Sequence, residues 1–492
     1  MQNKPNSLTD KTNATSFAAK VYENEPPRAT QKNKPNQSQL PCFFQNPRFG
    51  PGIYRGKCQI DSLGAAGTWE FEIMKTLIHH STMRKLLHIF CLWLLWRTPW
   101  MHAAQADPNI ASWQVGAPIV TYWCGPSLTD AVAQQMAEGG FNVVWCGSEK
   151  ELDIAHRHGL RGQLTDGLLT PASLDDPNRR EQLDALIARV SKHPALYSYY
   201  LIDEPNASQF PALGKLVAYL RQRDPAHLAY INLFPTYASN EQLGTQGDVV
   251  TAYKEHLRRY VEQAKPALIS YDHYQFRLNG DSDQYFLNLA MIRRAAQDAG
   301  VPFLNIVQAC TWAPDAMRVP NANELRYLVY STLAYGAQGI SYYVYACTNH
   351  HGSLVSLDGT PGPLYHALKS YNREFAAIAR ELQPLRSLGV HHTSMRDPGC
   401  EPLPADASFR LDSSKSPAGP RGFLLGSFGA KDRPTHLVVV NLDYTAEVSA
   451  SLIGPDELEL FDTATAQWSS AKKTAIELIL PPGGGKLVRV AR

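Results

Sequence analysis

From residue 117 to about residue 385, short runs of β-branched and aromatic residues alternate with stretches whose apolar positions return at helical spacing. Polar residues or glycine close each run. The runs predict strands over residues 119–123, 142–146, 161–164, 196–203, 228–233, 268–273, 303–308 and 340–345, and the stretches between them predict helices over 180–191, 211–223, 253–264, 285–299 and 324–335. Strand followed by helix, repeated over roughly 250 residues, predicts an α/β fold of the closed (β/α)8 type, the TIM barrel, which carries its chemistry at the C-terminal ends of the strands. An open doubly wound sheet is the rival, but no Gly-x-Gly-x-x-Gly turn follows the first strand. Past Leu388 the helical period stops, and residues 398–422 are rich in Pro, Ser and Gly, as a linker or irregular edge would be. Alternating runs then follow at 423–428, 436–442, 459–461, 476–480 and 486–490, with a turn at Pro481-Pro482-Gly483-Gly484-Gly485. They predict a small C-terminal antiparallel β-sandwich over 389–492, packed on the barrel as a structural accessory or as a carbohydrate-binding module.

The start of the chain reads differently. Residues 1–82 are rich in Asn, Gln, Lys, Ser and Pro without apolar periodicity, so they are expected to be disordered or untranslated. At Met83 the pattern changes to a basic head (Arg84, Lys85), an apolar run over 86–96 and a small-x-small end, Ala104-Gln105-Ala106. Those parts in that order predict a signal peptide over 83–106, cleaved after Ala106 so that an exported protein begins at Asp107. The apolar run is too short for a bilayer core that needs roughly twenty residues, so no membrane association is expected after cleavage. The barrel domain then covers 107–388.

Composition narrows the partners. The chain has 492 residues, with 47 Lys and Arg against 45 Asp and Glu, a net charge of +2, which offers nothing to neutralise a nucleic-acid backbone. The 9 Trp and 23 Tyr suit either plain core filling or stacking on flat ligands.

The strand ends decide between these. Strand four runs through apolar residues straight into Asp203-Glu204-Pro205, which delivers adjacent carboxyls to the barrel mouth, where proline stops the ladder. Like charges beside an aromatic wall raise the pKa of one member, as a general acid at neutral pH requires; a solvated turn that caps the next helix is the plainer alternative. The other strand ends bring Trp123, Trp145, Asn232, Tyr271-Asp272-His273-Tyr274, Gln308 with Trp312 beyond it, and Tyr343 and Tyr345 ahead of Asn349-His350-His351. Taken singly each suits core or rim. Together, aromatic faces with amide, hydroxyl and carboxylate groups between them fit a sugar ring, with its apolar C–H face and belt of hydroxyls. A carbohydrate is therefore the expected partner, with Asp203, Trp123, Trp145, Asn232, Tyr271, His273, Tyr274, Gln308, Trp312, Tyr343 and Tyr345 contacting it.

Competing chemistries have weaker signals. His273, His350, His351 and Asp272 are candidates to converge on a metal, but no Cys-x-x-Cys or His-Glu-x-x-His spacing occurs, and no metal or cofactor is expected. No Gly-x-Ser-x-Gly elbow is present. Cys124, Cys146, Cys310 and Cys347 fall at the ends of strands one, two, seven and eight. Pairs Cys124–Cys146 and Cys310–Cys347 are open to an exported protein, although adjacent parallel strands strain that geometry and favour buried free thiols.

These residues resemble the clan A glycoside hydrolases, and within them the barrel of family 42 β-galactosidases. The clan carries its acid/base Glu at the end of strand four after an Asn, and Asp203-Glu204 is similar, with Asp in place of Asn. The resemblance implies an acid/base role for Glu204. Ser270-Tyr271-Asp272-His273-Tyr274 is similar to a Trp-Asp-x-Tyr-Pro motif on a later strand, and Gly336-Ala337-Gln338-Gly339-Ile340-Ser341-Tyr342-Tyr343 to the family's last unit. Strand seven departs from the pattern. Pro302-Phe303-Leu304-Asn305-Ile306-Val307-Gln308 has Val307 where the family has its nucleophile Glu. The expected function is hydrolysis of O-glycosidic bonds in an oligo- or polysaccharide, with Asp272 as the second carboxyl. A carbohydrate-binding protein that has kept the scaffold and lost the reaction is the alternative.

Overall fold

The computed structural model describes residues 118–412, 419–469 and 473–491. The segments 1–82 and 83–106, and the start at Asp107, lie outside them. Eight parallel strands form one sheet: β1 (Ile119–Trp123), β2 (Val143–Cys146), β3 (Arg161–Leu164), β4 (Leu196–Asp203), β5 (Leu228–Leu233), β6 (Ile269–His273), β7 (Phe303–Gln308) and β8 (Gly339–Tyr343). A helix follows each: α1 (Asp130–Glu138), α2 (Glu149–Arg157), α3 (Pro177–Val190), α4 (Phe210–Arg223), α5 (Val249–Ala264), α6 (Tyr285–Ala299), α7 (Ala322–Ala334) and α8 (Pro363–Leu382). Side-chain oxygens of Thr129, Ser148, Asp176, Asp248 and Asn321 cap α1, α2, α3, α5 and α7, which is why these helices start where they do.

Strand pairing runs β1-β8-β7-β6-β5-β4-β3-β2. The remaining seam, between β1 and β2, closes without a regular ladder. Asn142 donates its backbone N–H to Val120 O at 3.0 Å, accepts from Val120 N through Oδ1 at 2.8 Å, and donates from Nδ2 to Pro118 O at 2.6 Å. Trp145 Nε1 adds a bond to Tyr122 O at 2.7 Å. The barrel expected from the alternating pattern is therefore present.

The period of two along each strand divides the core. Val120, Tyr122, Val144, Ile231, Leu233, Ile269 and Tyr271 pack under the helices, while Ile119, Val143, Leu228, Tyr230, Leu268, Leu304 and Ile306 fill the barrel interior.

The C-terminal part is an antiparallel β-sandwich built from β9 (Arg386–His392), β10 (Arg410–Asp412), β11 (Phe423–Gly429), β12 (His436–Asn441), β13 (Val448–Asp462), β14 (Gln467–Trp468), β15 (Lys473–Leu480) and β16 (Gly485–Val490). Its register shifts between Ile453 and Leu458 let β13 pair with β10 and β15 through its first half, and with β16 through its second. Phe423, Leu425, Leu437, Val439, Leu452, Leu478 and Val488 fill the space between the layers. Leu424, Phe428, Val438 and Val440 join the barrel core instead. The close fit at this junction depends on Gly426, where a Cβ would lie 2.0 Å from the Ala334 carbonyl oxygen at the end of α7.

Candidate active site

β4 brings the first acids to the mouth through a break in its own regularity. Tyr200 pairs with Tyr230 and Ile202 with Ile231, so Leu201 is an extra residue in the ladder. Tyr200 faces the barrel interior, and strict alternation would then send Asp203 outward. The bulge reverses the parity, so that Asp203, opposite Asn232, points inward. Glu204 follows with φ +44°, a left-handed conformation that costs a non-glycine residue of order 1–3 kcal/mol. Its N–H donates to Asn232 O at 2.9 Å, Pro205 comes next, and Asn206 anchors the turn through Nδ2 to Glu241 O at 2.7 Å. Glu204 is half-buried, whereas Asp203 and Asp272 are buried.

Asn232 organises the acids. Its Nδ2 donates to Asp203 Oδ1 and to Asp272 Oδ1, each at 3.0 Å, so those two oxygens are no more than 6.0 Å apart. The amide is held in turn by Ser270 Oγ, which donates to Asn232 Oδ1 at 2.9 Å and lies 2.7 Å from the Tyr230 hydroxyl. Burial and then the Asp272 charge push the Asp203 carboxyl well above its ordinary range, against the pull of the Asn232 hydrogen bond. Burial raises Asp272 to about 6, with hydrogen bonds from Asn232 and Tyr274 holding it down. Two carboxyls linked through one amide in a dry site do not ionise independently, so their titrations depend on each other. Tyr237, Tyr253 and Tyr274 all have pKa values raised, by burial first, with the charges of Asp272 and Glu204 adding to it.

Two aromatic groups flank the acids. Trp123, Trp145 and Tyr200 pack edge to face, with ring centroids 4.9–5.9 Å apart, and Tyr230 continues the group at 6.3 Å from Tyr200. On the other side Tyr274, Trp312 and Tyr343 form a triangle of centroid distances 4.8, 4.8 and 5.1 Å, and His350 Nε2 meets the Tyr343 hydroxyl at 3.1 Å. Trp312 keeps 36% of its surface exposed, as a face left for a ligand would be.

Not every anticipated contact is here. Tyr271 and His273 alternate with Asp272 and so lie behind β6, against the helices; His273 meets Asn288 Oδ1 at 3.0 Å and Ser282 Oγ at 3.2 Å, and burial lowers its pKa to about 3. Tyr345 lies past the end of β8, packs on Tyr122 and Phe141, and donates to Gln135 Oε1 of α1 at 2.5 Å. Gln308 is fully buried and spent on backbone: Oε1 accepts from Phe276 N at 2.7 Å and Nε2 donates to Arg318 O at 2.8 Å, tying the loops after β6 and β7 together. Trp145 offers only its ring, because its N–H closes the barrel seam. Asn232 reaches the acids themselves. Val307 faces the helices, and the inward positions Leu304 and Ile306 are part of the interior packing, so β7 brings no carboxyl to the mouth.

Cys146 and Cys310 are not disulfide-bonded, which excludes both cysteine pairs considered from the sequence; parallel neighbours do not bring the two sulfurs into bonding geometry. Among the described residues no three His, Cys, Asp or Glu side chains gather in a metal-binding cluster. Tyr200 and Tyr237 belong to the site although the sequence did not single them out for it, and His350, considered there as a metal ligand, instead meets the Tyr343 hydroxyl. For Tyr200 the signal was masked by the bulge, since a regular strand cannot turn both Tyr200 and Asp203 inward.

No protein-family profile and no curated protein matches the sequence. Similar solved structures include a β-galactosidase from the psychrophilic Marinomonas ef1, 13% identical over 54% of this chain and 60% of that one, with a TM-score of 0.39. Another is described as a glycoside hydrolase, 12% identical over 75% of this chain and 91% of that one, with a TM-score of 0.42. A third is the GH10 xylanase of Thermobacillus composti, 14% identical over 51% of this chain and 96% of that one, with a TM-score of 0.35. The chain thus spans 60% of the length of the Marinomonas enzyme.

Proposed function

We propose that the protein is an exported glycoside hydrolase that cleaves an O-glycosidic bond of an oligo- or polysaccharide, with β-galactosides as the first candidates because of the family 42 resemblance. The observation that supports this reading is the set of carboxyls at the strand ends, half-buried Glu204 beside buried Asp203 and Asp272 joined through Asn232, between two aromatic walls. In this reading Glu204 gives its proton to the glycosidic oxygen as the C–O bond breaks. Asp272 either attacks the anomeric carbon, which leads through a covalent intermediate to retention, or takes a proton from a water that attacks, which inverts. Asp203 accepts from Asn232.

Glu204→Gln is expected to lower kcat on an aryl glycoside by about 10²–10⁴ with the fold intact, because it keeps the shape and removes the proton. Asp203→Asn is expected to cost less, because an amide still hydrogen-bonds there. Equal losses, or a larger one for Asp203→Asn, would reverse the two roles. Asp272→Ala is tested with azide: rescue as a glycosyl azide of inverted configuration identifies a nucleophile, and unchanged turnover removes Asp272 from the reaction.

A second reading rests on β7, which sends no carboxyl to the mouth. It makes the protein a binder that holds a sugar between the walls without cleaving it. A panel of aryl glycosides and polysaccharides, scored for cleavage and for binding by calorimetry, separates the two.

A further inference from the structure

The wall formed by Tyr274 and Trp312 is carried by loops, and something must hold those loops. The loop after β6 folds back in a two-residue hairpin, Phe276–Arg277 against Gly280–Asp281. It is sewn to the loop after β7 by the Arg277–Met317 bridge, by Leu278 N donating to Ala316 O at 3.1 Å, and by Gln308. That second loop is sewn to the one after β8 by paired bonds between Thr311 and His351, at 2.9 and 2.8 Å. The base of the hairpin, where Asp281 pairs with Phe276, is where the β-sandwich enters. Asp281 Oδ2 accepts from Arg421 at 2.5 Å and from the Tyr444 hydroxyl at 2.8 Å, while Oδ1 accepts from Arg318 of the β7 loop at 3.2 Å. Arg318 also donates to buried Glu324 of α7 at 2.6 Å. Phe276 fills the space beneath, with the Arg318 guanidinium 4.6 Å above its ring and Tyr444 edge-on at 5.9 Å.

We infer that Asp281 is a positioning residue through which the β-sandwich sets the Tyr274–Trp312 wall of the ligand site. The inference rests on the mouth being the sugar site, and adds that the sandwich determines substrate affinity without touching substrate. One carboxylate joins three donors, one from the β7 loop and two from the sandwich, with only 11% of its side chain exposed. A bridge that shielded is screened less by salt than a surface pair, and losing any donor frees the hairpin on which the wall sits. The carboxyls on β4 and β6 are linked to each other through Asn232, while Tyr274 of the wall also hydrogen-bonds Asp272.

The variants are Asp281→Asn, Arg421→Ala and Tyr444→Phe in the full chain. The expected result on a cleaved glycoside is a KM raised about tenfold with a smaller loss in kcat, since the contacts of the wall are loosened more than the carboxyls that Asn232 holds. Independently of any sugar, acrylamide quenching of the Trp312 fluorescence, isolated by subtracting the Trp312→Phe spectrum, should rise in Asp281→Asn and Arg421→Ala and less in Tyr444→Phe. Arg421→Ala carries the test if Asp281→Asn does not fold. Unchanged Trp312 quenching in a folded variant would overturn the inference, as would a loss confined to kcat. A parent that cleaves and binds no sugar would sink the glycosidase reading instead, and the quenching result would stand apart from it.

Discussion

Among single residues, Asp272 has the clearest measurable consequence. Burial raises its carboxyl from the ordinary value of 3.8 to about 6. A carboxyl whose pKa is higher folded than unfolded holds its proton more tightly in the native state, so its stabilising contribution is complete below about pH 3.8 and is lost as the pH climbs to about 6. Thermal unfolding followed from about pH 4 to about pH 7 should therefore show a fall in Tm to which Asp272 contributes, and Asp272→Asn should flatten it. Equal slopes in parent and variant would contradict the placement of Asp272 in a dry site beside Asp203. The candidate acids were legible because Asp203-Glu204-Pro205 and Asp272 sit at the ends of apolar runs. The roles of Gln308 and His273 were not, because their hydrogen-bonding partners, Phe276, Arg318, Ser282 and Asn288, belong to loops and a helix whose positions no local pattern shows.

All eight barrel strands were placed from the sequence, seven of them as runs rich in β-branched or aromatic residues, whereas β3, Arg-Gly-Gln-Leu, contains neither. In the sandwich β9, β10, β14 and the part of β13 before residue 459 were not. β9 buries only Val390 and His392, and β10 buries nothing, so neither has a hydrophobic alternation to read. The parity of β4 was hidden for a related reason: a bulge is a property of two strands in register, and only the β5 partner shows which residue is extra. At the β1–β2 seam the Asn142 side chain makes two of the bonds that stand in for a ladder. Asn142→Ala would leave the Val120 N–H without its Oδ1 acceptor and is expected to cost about 1–3 kcal/mol. Urea unfolding measures it, and an unchanged midpoint would mean that water or a shifted strand replaces the amide.

For the molecule as a whole, the junction between barrel and sandwich is a working part of the structure. Leu424, Phe428, Val438 and Val440 turn from the sandwich into the barrel core, and Gly426 lets β11 lie directly on the end of α7. Gly426→Val puts a branched side chain where a Cβ already meets the Ala334 carbonyl oxygen at 2.0 Å. Overpacking of this kind typically costs about 1–3 kcal/mol. The expected outcome is a lower unfolding midpoint together with weaker ligand binding, because the same docking carries Arg421 and Tyr444 to Asp281. A lower midpoint with unaltered binding would separate the junction from the ligand wall.

The local order of residues was enough to determine the barrel, the sandwich after it and the strand ends at which carboxyls and aromatic rings arrive, because period-two and helical spacing are properties of neighbours along the chain. Which of those residues face one another was decided only by the tertiary structure. The bulge at Leu201 turned Asp203 inward, alternation turned Tyr271 and His273 away, and Asn232 became the link between two acids from β4 and β6. Register and hydrogen-bond partnership join positions tens of residues apart, and a polar side chain at a strand end is free for a ligand only if no such distant partner has already taken it.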